Sequence, residues 1–97
     1  MGLNSVRIVF ALLEASRGGP PTGSVEPAGP VVEDLIWAHA RPSEGLEHLT
    51  VRLTAEGMEL YFFVRSDSEA AAFDTVRTLL ERVREPLSRH GLALIHQ

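Results

Sequence analysis

The chain has 97 residues, which bounds it to one domain with a single modest core. At 44% apolar and 23% charged it has the make-up of a folded globular protein rather than a disordered one. It contains neither cysteine nor lysine, so disulfides, thiol nucleophiles, cysteine-based metal sites, a phosphate-binding lysine and Schiff bases are excluded; a net charge of -4 argues against wrapping a nucleic-acid backbone.

All nine basic residues are arginine, a bias that reads as GC-rich coding and points to a bacterial source. The apolar run Val6 to Leu13 carries only Arg7 near it and is cut off by Glu14, a poor match to a secretory signal. No segment approaches the roughly 18 to 20 apolar residues of a membrane span, so the expected compartment is the cytoplasm.

Ser5 to Ala15 is β-rich, with Val6, Ile8, Val9, Phe10, Leu12 and Leu13 filling both alternating sets. That pattern predicts a strand covered on both faces, with a short buried helix as the other reading. Ser16 to Pro30 holds four glycines and four prolines and reads as a loop within the single domain 1–97, longer than connections usually are.

Pro42-Ser43-Glu44-Gly45 and Thr54-Ala55-Glu56-Gly57 are two similar turns, each closing on a glycine suited to a positive φ. Leu49, Val51 and Leu53 alternate with polar residues between them, and Met58, Leu60, Phe62 and Val64 alternate with Glu59, Tyr61, Phe63 and Arg65 after them. The spacing predicts a three-stranded meander over 35–41, 46–53 and 58–65, with Arg41 facing Leu46 and Leu53 facing Met58. A helix over Val31 to Ala40 competes for the first of these, with Pro30 at its start and Val32, Leu35, Ile36 and His39 on one stripe. The strand is preferred, because Ile36, Trp37 and the turn after them suit a hairpin.

A capping box of Ser66 and Glu69 opens an amphipathic helix marked by Phe73, Val76, Leu79, Leu80, Val83 and Leu87. Pro86 is expected to kink or end it near Glu85, Gly91 closes the remainder, and Leu92 to His96 forms a last strand. The predicted fold is α+β: an antiparallel sheet of four to five strands with one long amphipathic helix on one face. A variant of the ferredoxin-like arrangement, with the Gly/Pro loop in place of the first helix, satisfies this order.

The meander's core face is then Ile36, Ala38, Leu49, Val51, Leu53, Leu60, Phe62 and Val64, covered by Phe73, Val76, Leu79 and Val83. Its reverse face collects Trp37, His39, Arg41, His48, Arg52, Tyr61, Phe63 and Arg65, in rows His39–His48–Phe63 and Trp37–Thr50–Tyr61. A face of this kind is seldom left to water. Self-association, cover by the chain's own loop or N-terminal strand, and a pocket compete to explain it. In the pocket reading His39 or His48 is the acid or base and Arg41 or Arg52 holds a small anionic ligand.

The two histidines, opposite each other, fall short of a metal site because no third ligand is near. His90 lies at the helix end, where a cation suits the dipole. No serine sits in a nucleophile elbow, and the glycines lack a phosphate-binding fingerprint. Tyr61 and Phe63 are reminiscent of single-strand RNA platforms, but the aromatic-basic signature is missing. No cofactor is implied. The reading is therefore a small non-catalytic interaction or accessory module, acting on a second copy or another protein, with nucleic acid and membrane set aside. Beside it stands a small dimeric α+β-barrel-type enzyme or small-molecule-binding protein using His39 or His48.

Overall fold

The computed structural model describes residues 5–15, 28–55 and 57–96. Four strands and two helices follow in the order β1 (Ser5–Ala15), α1 (Ala28–His39), β2 (Leu46–Leu53), β3 (Met58–Ser66), α2 (Glu69–Arg89) and β4 (Leu92–His96), with a 3-10 turn at Pro42–Glu44. The strands form one antiparallel sheet in the order β2-β3-β1-β4. The fold is α+β, with the split βαβ connectivity of the ferredoxin-like arrangement and both helices on one face.

The first helix is present, and this corrects the meander. Val31 to His39 belongs to α1, which begins at Ala28 inside the expected loop; the rest of that loop, 16–27, lies outside the described residues. Topology supplies the reason. β1 and β2 run the same way on either side of β3, so the chain between them must cross over the sheet, as helices do. Val32 and Ile36, one turn apart, are fully buried on that crossover. Pro42 then stops the helix by forcing Arg41 into extended backbone, φ -98° and ψ 144°. Arg41 therefore opens the 3-10 turn and does not face Leu46 across a hairpin.

The hairpin of β2 and β3 has the expected register, Leu53 opposite Met58 and Leu49 opposite Phe62. Its two glycines work differently. Gly45 is left-handed at φ 76°, and an added Cβ would stand 2.7 Å from the Arg65 carbonyl oxygen. Gly57 has no positive φ; it is small because the Leu13 carbonyl lies where a Cβ would go.

The core joins Val9, Ala11 and Leu13 of β1 to Leu49, Met58, Leu60, Phe62 and Val64, roofed by Val32 and Ile36 of α1 and Ala72, Val76, Leu79, Leu80, Val83 and Leu87 of α2. Each of these side chains other than the two alanines contributes about 1.5–3 kcal/mol by leaving water. Val51 is only partly buried, Ala38 is exposed, and Leu53 and Phe73 are largely exposed, against expectation. Ala72 takes the inward position beside Phe73. The cap of α2 is Ser68, whose hydroxyl accepts from the Ala71 N–H at 3.0 Å; Ser66 instead donates to the Ser68 carbonyl. The helix runs past Pro86 to Arg89, because buried Leu87 anchors the last turn and Gly91 at φ 76° ends it.

Gly45→Ala is expected to cost roughly 1–3 kcal/mol in denaturant unfolding, through left-handed strain and the contact with Arg65. Gly29→Ala, which meets only Val51 at 3.9 Å, is expected to be neutral or to stabilise by up to about 1 kcal/mol.

Candidate functional site

Alternation sends every second side chain of the sheet away from the helices. On this open face β1 supplies Val6, Ile8 and Phe10, β3 supplies Tyr61, Phe63 and Arg65 with Glu59, and β2 supplies His48, Thr50 and Arg52. Pairing aligns them in rows across the sheet: Ile8–Phe63–His48, Phe10–Tyr61–Thr50 and Leu12–Glu59–Arg52. The Phe10 and Tyr61 rings stand 5.3 Å apart at 57°, and His48 meets Phe63 edge-on at 5.3 Å. Both separations suit favourable aromatic contact. Ile8, at the centre, is 61% exposed.

Of the eight residues expected on this face, five are here: His48, Arg52, Tyr61, Phe63 and Arg65. Trp37, His39 and Arg41 are not, since they belong to α1 and the chain just after it. The apolar partners come from β1 on the far side of β3, and Val6, Ile8 and Phe10 were not foreseen there. Their signal is the apolar residues on both alternating sets of Ser5 to Ala15, a pattern that equally predicts a strand covered on both faces. Only one face is.

The charges at the two ends of this stripe are matched within the chain. Arg65 donates from Nε to Glu47 at 3.0 Å, and Arg52 lies 3.7 Å from Glu59. Exposed pairs of this kind contribute little to stability. Of the two arginines expected to hold a small anion, Arg52 lies beside Glu59 on this face and Arg41 lies off it, at the 3-10 turn. The Tyr61 hydroxyl donates to the same Glu59 carboxylate at 3.0 Å, and this bond, with desolvation and the carboxylate's charge, raises the phenol above its usual value.

His39 and Arg41 serve the frame. His39 Nδ1 lies 2.8 Å from the Leu35 carbonyl, in the last turn of α1. Arg82 of α2 donates to the His39 carbonyl at 2.7 Å and grips Glu44 with both terminal nitrogens, at 3.1 and 2.7 Å. Glu44 also accepts the Arg41 backbone N–H at 2.7 Å. This forked pair, with side chains only 21% and 13% exposed, ties the end of α1 and the 3-10 turn to α2. The bond to Arg82 is the largest influence on Glu44 and, against some desolvation, holds its carboxyl below the ordinary value.

Elsewhere, a groove of about 320 Å³ lies between α2 and β4, and one of about 900 Å³ between Ser5–Phe10 of β1 and the first turns of α2. Among the described residues no three potential metal ligands cluster, and no helix is long and apolar enough to cross a membrane. No protein-family model matches the chain, and neither a curated protein nor a solved structure is found to resemble it.

Two outcomes follow from these bonds. Glu59→Gln is expected to bring the Tyr61 phenol back down toward 10 in an ultraviolet titration. Arg82→Met is expected to lower Tm by several degrees at pH 7. Because the folded pKa of Glu44 is depressed, the bond is fully effective above about 4.5 and is lost as pH falls through the lower folded value. The gap between wild type and Arg82→Met in thermal melts therefore narrows below pH 4.5.

Proposed function

We propose that this protein is a small non-catalytic interaction module whose working surface is the open face of its sheet. The observation that carries this reading is the unbroken apolar stripe of Val6, Ile8, Phe10, Tyr61 and Phe63 on a face that no described element covers. Such a stripe, rimmed by charge, has the make-up of an interface centre.

Charge favours a second copy as the occupant. Each end of the stripe carries one arginine and one glutamate, Arg65 with Glu47 and Arg52 with Glu59. A two-fold rotation that stacks two such faces therefore offers every arginine a carboxylate in either direction. The two histidines of the catalytic alternative do not come together: His39 is bound into the end of α1, while His48 lies on β2 against Phe63.

The test is absolute mass by light scattering over a concentration series, for wild type and Tyr61→Ala/Phe63→Ala. The double variant is expected to halve the associated mass while its circular dichroism stays native. An unchanged mass in that variant would remove the open face from the interface and end this reading.

A further inference from the structure

Of His39, His48 and His90, only His48 stands on the open face of the sheet. It lies inside the stripe rather than at its charged ends. The ladder sets it level with Phe63 and Ile8, its ring meets the Phe63 ring edge-on at 5.3 Å, and Thr50 is its neighbour along β2. In the single chain His48 is exposed to water. A second copy stacked on the stripe takes that water away.

The charges around His48 oppose a protonated ring. On β2 and β3, Glu47 is held by the Arg65 Nε at 3.0 Å. Glu59 accepts the Tyr61 hydroxyl at 3.0 Å and has Arg52 3.7 Å away. Both carboxylates are thus shared with cations, and each of those arginines repels an imidazolium. β1 brings the uncharged Ile8 and Phe10; its Arg7 turns to the Ser66 carbonyl, and Glu14 lies at the other end of the strand. Among the described residues no carboxylate pairs with His48, and both helices pack on the opposite side of the sheet. A second copy carries the same matched pairs at the ends of its stripe. Burying an unpaired cation in such a setting costs far more than burying a neutral imidazole.

We infer that His48 makes association through the open face sensitive to pH: two chains stay together while this ring is neutral and part when it takes up a proton. The inference rests on the open-face association proposed above. Histidine is the side chain that ordinarily changes charge between about pH 5 and 8. Linkage gives the sign. Separate chains bind protons that the associated pair excludes, so association is fullest on the alkaline side of that window and weakens as pH falls through it. Each pair of chains holds two such rings, so the dissociation constant is expected to rise about ten- to a hundredfold from pH 8 to about pH 5.5. The lower of these values is still above 4.5, the ordinary value from which Glu44 is lowered, so the Arg82–Glu44 fork and the fold it supports are retained.

The test is the dissociation constant from light scattering over a dilution series, at about pH 8 and about pH 5.5, with circular dichroism at both. Wild type is expected to weaken as stated. His48→Gln is expected to hold one constant at both values, and His48→Arg, charged throughout, to associate weakly at both. His39, His90 and His96 all remain in His48→Gln, so a pH dependence that persists in it would overturn the switch. A wild-type constant that does not move with pH, or a His48→Arg chain as tight as wild type at pH 8, would overturn it as well. In those three cases the open-face reading stands so long as Tyr61→Ala/Phe63→Ala dissociates at pH 8. A double variant that keeps the wild-type mass would end both, since no interface would then bury His48.

Discussion

Everything in this molecule turns on β3 lying between β1 and β2 in an antiparallel ladder. With a side-chain period of two, the register that buries Met58, Leu60, Phe62 and Val64 under the helices necessarily turns Tyr61 and Phe63 the other way. A slip of one residue would exchange the two sets and put Glu59 and Arg65 into the core. The aromatic face is thus fixed by the same pairing that builds the hydrophobic centre. Neighbours on both sides sharpen it: β1 brings Phe10 to Tyr61 and Ile8 to Phe63, while β2 brings His48.

Among the described residues only one face of that sheet is covered, and that face carries the stabilising contacts. The fully buried side chains all lie on the helix side, and the Arg82–Glu44 fork holds the two helices together there. A forked pair this shielded from solvent resists thermal motion better than the exposed pairs along α2, such as Arg84 with Glu81 at 3.8 Å. It also satisfies the His39 carbonyl at the end of α1, where the helix has no further partner of its own. The open face contributes little to this frame, so substitutions there are expected to alter association before they alter folding.

What could be read from the sequence was local. The Thr54–Gly57 turn fixed Leu53 opposite Met58, and the three- and four-residue spacing from Val76 to Leu87 defined α2 and its buried stripe. What could not be read was non-local. Nothing within Ser5–Ala15 says which strand, some fifty residues away, it will join, so its apolar outer set looked like the mark of burial. The segment around Trp37 carried both patterns at once. Its helical stripe of Val32 and Ile36 won because a crossover between β1 and β2 needs a helix, and Pro42 stops that helix in a way that looks in sequence like a hairpin turn. Misplacing this one segment moved Trp37, His39 and Arg41 onto a face they never reach.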